Sequence, residues 1–168
     1  MPINPKICIP CAADNLQDFI SQINIAQEQT NYIELRLDAL FSKNNNISLD
    51  NINTIFKSIK PNIKTIATCR QKKYGGFFEN NTQKQKEILQ HANDFGCDYI
   101  DIDYPIYNNI KISNLTAKTI ISYHEFENQN NININNLNKI KKAMSETSAD
   151  IIKLAIHCNN NQDVKILY

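Results

Sequence analysis

Short apolar runs alternate with longer amphipathic stretches along this chain. The first run is Lys6-Ile7-Cys8-Ile9-Pro10. Leu16, Phe19, Ile20, Ile23 and Ala26 then recur at three- and four-residue spacing, the signature of a helix with one buried face. Asp14 or Asn15 can cap it. A second strand-type run, Tyr32–Arg36, precedes a helical pattern at Ile52, Ile55, Phe56 and Ile59, started by Ser48 or Asp50 and stopped near Pro61. Lys64–Arg70 predicts a third strand, and residues 81–95 predict a helix ended by Gly96. Further strands are predicted over Asp98–Ile102, Lys118–Ser122 and Asp150–Ile156. A helix over Ile134–Thr147 separates the last two, and an amphipathic piece begins at Gln162. Tyr104–Thr116 carries Pro105 and little helical periodicity.

Alternating β and α elements imply a parallel sheet with right-handed crossovers, in one domain over residues 1–168. Two architectures fit, a doubly wound sheet and a (β/α) barrel. No Gly-rich phosphate turn follows the first strand, which counts against a dinucleotide-binding sheet.

Composition narrows the partners. The 18 basic and 17 acidic residues give a net charge of +1, so neither nucleic acid nor a membrane surface is expected as a partner. No apolar run approaches the roughly 20 residues that span a bilayer. Met1-Pro2-Ile3-Asn4-Pro5 lacks a basic region followed by an apolar one, so no signal peptide is expected. Cys8, Cys11, Cys69, Cys97 and Cys158 are odd in number and irregularly spaced. They read as buried thiols in a reducing compartment, which implies a cytoplasmic protein. Cys8-x-x-Cys11 has no second pair at zinc spacing, so no metal is expected. Asparagine clusters at 44–46, 128–138 and 159–161 read as polar loop filler.

Several strands end in residues foreign to a core: Glu34 and Arg36, Arg70, Asp101 and Asp103, His124 just after the fifth strand, and Lys153 within the sixth. In a barrel the C-terminal strand ends converge on one face, where active sites form. Lys153 interrupts the apolar run Ile151-Ile152-Lys153-Leu154-Ala155-Ile156. A buried ammonium without compensation tends to lose its proton, and a neutral amine condenses with carbonyls. The alternative is an edge-strand lysine that reaches water. His124 suits proton transfer near neutral pH, or it is structural. Arg36 and Arg70 suit bidentate binding of an anion, or they only pair with Glu34 and Asp101.

Five segments in order resemble the type I 3-dehydroquinate dehydratase family. They are Glu34-Leu35-Arg36-Leu37-Asp38; Thr68-Cys69-Arg70 with Gly75-Gly76; Tyr99-Ile100-Asp101-Ile102-Asp103; Ser122-Tyr123-His124-Glu125-Phe126; and Ala149-Asp150-Ile151-Ile152-Lys153-Leu154-Ala155. The resemblance implies an α/β fold of the (β/α)8 TIM-barrel type, with about six βα units here, a homodimer, and no cofactor. It implies dehydration of 3-dehydroquinate to 3-dehydroshikimate in the shikimate pathway. Lys153 would form an imine with the substrate, and His124 would move the proton. Glu34, Arg36 and Arg70 would hold substrate hydroxyls and carboxylate, and Asp101 would orient its neighbours.

Two residues depart from the family pattern, which commonly has Glu where Tyr74 and Asp103 stand. Family members are also longer. The seventh and eighth strands, with an Arg, a Ser and a Gln that contact substrate, would fall outside these 168 residues. Six units would leave the first and sixth strands as open edges. The chain is then a piece of a longer protein, a product of gene decay, or a species completed by association. That favours, as an alternative function, an impaired remnant or association module of the same fold. A further alternative is another imine-forming barrel, such as a class I aldolase, which Ser122-x-His124-x-Phe126 disfavours.

Overall fold

The computed structural model describes residues 6–42, 47–125, 134–158 and 160–167. The asparagine tracts at 44–46 and 128–133, Asn159 and Phe126 lie outside the described residues. So do Met1 to Pro5.

Among the described residues six strands carry the fold: β1 (Cys8–Cys11), β2 (Tyr32–Arg36), β3 (Lys64–Thr68), β4 (Tyr99–Asp103), β5 (Lys118–Glu125) and β6 (Ile151–Ile156). All neighbouring pairs are parallel, in the order β1-β2-β3-β4-β5-β6. A doubly wound sheet reverses its strand order at a switch point, and this one does not, so the arrangement is that of a barrel wall. Its curvature has an electrostatic trace. Five spacings of about 4.8 Å would hold β1 and β6 roughly 24 Å apart in a flat sheet. Yet the Lys153 ammonium on β6 acts on the Cys8 thiol on β1, opposing the upward push of burial and of Glu34.

The helices are α1 (Leu16–Ala26), α2 (Leu37–Leu40), α3 (Asp50–Lys57), α4 (Thr82–Asp94), α5 (Ile134–Ser145) and α6 (Asn161–Leu167). Asn15 caps α1 by accepting from the Asp18 amide at 2.9 Å, and Asn81 caps α4 by accepting from Lys84 at 3.0 Å. Gly96 follows α4 at φ 86°, where a side chain would be strained. The aperiodic stretch after β4 forms a 3-10 helix, Tyr104–Asn109, with Pro105 in its first turn. The short helix α2 was not legible, because four residues carry no period.

Side chains alternate across each strand. Ile33, Leu35, Ala67, Ile100, Ile102 and Ile121 face outward, where Phe19, Ile23, Ile52, Ile55, Ile88 and Leu89 of the helices share the buried apolar layer. Cys11, Cys69 and Cys97 lie in this layer. Cys8 is exposed and Cys158 only partly buried, against the expectation of five buried thiols. Cys8 has the parity of Glu34 and so points to the inner face, away from the helices. No described helix is long and apolar enough to cross a membrane.

Candidate active site

The inner face is where the polar residues gather. Register rows link Arg36 with Thr68 and Asp101, and one step further along link Asp103 with Ser122 and Lys153. Residues two apart on each strand share a face, so Glu34, Arg36, Thr68, Asp101, Asp103, Ser122, His124 and Lys153 all point inward. Arg70 lies two residues beyond Thr68, just past the end of β3.

Charges alternate through this face. Lys153 Nζ donates to Asp101 Oδ2 at 2.7 Å, and Ser122 Oγ donates to Asp101 Oδ1 at 2.5 Å. Arg70 spans both carboxylates of β4, with Nη2 3.3 Å from Asp101 Oδ2 and Nε 3.0 Å from Asp103 Oδ1. Asp103 Oδ1 in turn lies 3.4 Å from His124 Nδ1. The row Lys153–Asp101–Arg70–Asp103–His124 therefore joins an amine to an imidazole through buried carboxylates and a guanidinium. Burial alone would raise the Asp101 carboxyl. The charges of Lys153 and Arg70, with hydrogen bonds from Lys153 and Ser122, outweigh burial and hold it below its ordinary value.

Glu34 and Arg36 sit to one side of this row. Glu34 Oε1 accepts from Thr68 Oγ1 at 2.7 Å. Arg36 pairs with Asp38, not with Glu34: Nε and Nη2 reach its two oxygens at 2.9 and 2.7 Å, a bidentate fork. Asp38 is fully buried and also accepts from the Phe77 amide at 3.0 Å. The Asp38 hydrogen bond, with the nearby charges of Asp38, Glu34 and Asp101, raises the Arg36 pKa although burial opposes it.

Two expectations need correction. His124 lies within β5, not after it, because the ladder to β6 continues to the pair Glu125–Ile156. Lys153 is not sealed in a core: its side chain is 39% exposed, and its charge has a carboxylate partner. The strand β6 has a described neighbour on one side only, which leaves its inner face open.

The loop after β3 shapes the entrance. Gly75 adopts φ 79°. A Cβ on Gly76 would meet the Arg70 carbonyl oxygen at 2.1 Å, so only glycine lets the loop fold back over Arg70. A cleft of about 500 Å³ opens there, lined by Lys72, Lys73, Tyr74, Asp103, Ser122 and His124 among others. Sequence reasoning placed Asp103 among the strand-end charges but gave it no role, and it assigned no part to Ser122, Thr68 or Asp38. Counting in twos from Lys153 and Asp101 along paired strands would have found three of them; Asp38 comes only from the turn into α2. Among the described residues no cluster of His, Cys, Asp or Glu could hold a metal ion.

A parallel barrel wall with ionisable groups gathered on its inner face defines a protein of the (β/α)-barrel class. The particular family follows from comparison: the model for type I 3-dehydroquinase matches residues 7–168, and the chain belongs to that family. It is 37% identical over 164 residues to a 3-dehydroquinate dehydratase of Coxiella burnetii, covering 98% of this chain and 67% of that protein. A type I 3-dehydroquinate dehydratase structure from Clostridium difficile, carrying covalently modified comenic acid, superposes with a TM-score of 0.83 at 23% identity. That match covers 97% of this chain and 67% of the other. A sialic acid aldolase of Ruminococcus gnavus shares the fold more distantly, at a TM-score of 0.56 and 15% identity, over 96% of this chain and 56% of that one.

Proposed function

We propose that this chain is a 3-dehydroquinate dehydratase, a hydro-lyase of the shikimate pathway that works through an imine on Lys153. One observation carries the reading: Lys153 and His124 project from neighbouring strands onto the same inner face, each beside a carboxylate of β4.

The chemistry runs as follows. Lys153 sheds a proton, and its exposed edge gives that proton a path to water. The amine adds to the substrate ketone, and the carbinolamine oxygen takes a proton back from water and leaves as water, which gives an iminium. His124 takes the proton from the adjacent carbon, whose electron pair flows toward the iminium to give an enamine. That pair then expels the hydroxyl, which leaves as water with the proton returned by His124. Hydrolysis of the imine frees the enone product and restores the amine. The water of hydrolysis replaces the water of condensation, so the net change is one water lost from substrate. Glu34, Arg36 and Arg70 hold the substrate's hydroxyls and carboxylate, and Asp101 keeps the lysine in place. No cofactor is needed, since the iminium is the electron sink.

Borohydride added with 3-dehydroquinate tests this. A reduced substrate adduct on Lys153 is expected, with none on Lys153→Ala. A folded wild-type chain that traps nothing would overturn the reading. A homodimer and a cytoplasmic location go with the family reading, and light scattering measures the first.

A second reading, an association module of the same fold, is favoured by the edges of β1 and β6, which pair with no further described strand. Turnover by monomeric chain would exclude it.

A further inference from the structure

Asp38 is a buried carboxylate with no part in the proposed reaction. Its side chain has no exposure to solvent, and three donors meet it: Arg36 Nε at 2.9 Å, Arg36 Nη2 at 2.7 Å and the Phe77 amide at 3.0 Å. Arg36 and Asp38 come together because β2 ends at Arg36 and the chain turns at once into α2, whose first turn carries Asp38. The Phe77 ring also lies 5.3 Å from Arg36 Cζ, a cation–π contact, on the loop that Gly76 lets fold over Arg70. Arg36 points inward, in the register row of Thr68 and Asp101, with its side chain 17% exposed. A guanidinium has five N–H donors in one plane, and the fork on Asp38 uses two of them. Among the described residues Arg36 donates to no other group, so three N–H groups on Nη1 and Nη2 remain, directed away from Asp38.

We propose that Asp38 is the positioning residue of Arg36: it fixes the guanidinium so that the three remaining N–H groups meet an oxygen of the substrate. The inference rests on the dehydratase reading and deepens it. An arginine side chain has many rotamers, and ordering them on binding weakens affinity. Asp38 orders them beforehand, because a bidentate fork sets both the position and the plane of the guanidinium. Asp38 is itself held, since a fully buried carboxylate that left its donors would strand a charge away from water. Its Oδ2 accepts from both Nη2 and the Phe77 amide, so one oxygen joins Arg36 to the loop over the cleft. Arg36 holds a part of the substrate that does not react, so the role of Asp38 is expressed in substrate affinity and not in the proton transfers.

Two measurements decide it. Asp38→Asn, which turns one acceptor of the fork into a donor, is expected to raise KM by roughly 10-fold with kcat within about threefold of wild type. The borohydride adduct on Lys153 should still form at saturating substrate. Arg36→Ala should raise KM at least as far, and Asp38→Asn added to it should raise KM no further, because the effect of Asp38 runs through Arg36. A merely structural role would multiply the two effects. A KM for Asp38→Asn within about twofold of wild type, a kcat loss larger than the rise in KM, or multiplied effects in the double variant would overturn the assignment. Should Asp38→Asn not fold, nitrogen NMR of the wild type labelled at arginine decides by itself. The chain holds two arginines, so Arg36→Ala assigns the signals. The Arg36 Nε–H is expected to exchange slowly with solvent both in the free chain and in the trapped adduct. Fast exchange in either would show that Arg36 is not held by Asp38 when substrate is bound, and would overturn the assignment. Failure of trapping in the wild type would instead sink the dehydratase reading, and this assignment with it.

Discussion

The strands β4 and β6 carry the carboxylates and the amine of one charge network under different conditions. The strand β4 has neighbours on both sides, and Asp101 and Asp103 are each 3% exposed. On β6 every residue is at least partly accessible, and Ile151 is 43% exposed. The same parallel geometry therefore builds a rigid anionic half and an open cationic half. A buried carboxylate is committed to its hydrogen bonds, since losing them strands a charge away from water. A lysine at an open edge can leave its partner for water or for a carbonyl at little cost. In the proposed mechanism Lys153, which must bond, rearrange and be released, gains from the second condition, whereas the groups that aim it gain from the first.

Substitutions on the two strands sharpen that contrast. The largest effect is expected from Asp101→Asn, which leaves Arg70 and Lys153 short of an anion; about 4 kcal/mol of stability should be lost at neutral pH, read by urea denaturation. Breaking the same pair from the open side, with Lys153→Met, should cost less, about 2 kcal/mol, because Arg70 and Ser122 still hold the Asp101 carboxylate. Equal costs would show that the two ends are alike. The pH dependence has a definite sign. The Asp101 carboxyl is depressed in the folded chain from its ordinary 3.8, so its contribution is present above that value. It is lost as pH falls below 3.8 toward the folded value, so wild type and Asp101→Asn should converge in acid.

The apolar rows give a smaller contrast of the same kind. Ile121 on β5 is fully buried and Ile151 is not. Truncation to alanine should cost about 3 kcal/mol at Ile121 and under about 1 kcal/mol at Ile151, measured by thermal or urea unfolding. Comparable losses would mean that β6 is covered in solution. The smallest effect is chemical. Burial pushes the Cys11 thiol up to about 11 and Cys97 to about 12, and raises Cys69 well above its ordinary value. Alkylation at pH 8 should therefore spare these three and label Cys8 and Cys158, as mass mapping would show.

Much of this architecture was open to inspection in the chain itself. Period-two and period-3.6 apolar patterns placed all six strands and the longer helices, because each element must bury one face whatever its neighbours do. The five polar segments marked the strand ends that matter and pointed to the family. What the chain could not show is who pairs with whom. Arg36 takes Asp38 through a local turn, whereas Arg70 reaches across to Asp101 and Asp103. Hydrogen bonds between side chains depend on a register and a curvature that no single strand specifies. The openness of Lys153 was also hidden, since exposure is set by the strands that stand beside it and not by its own apolar flanks. Local pattern thus determined the elements and their inner and outer faces; only the assembled sheet decided which charges meet, because burial and pairing belong to neighbours that are distant along the chain.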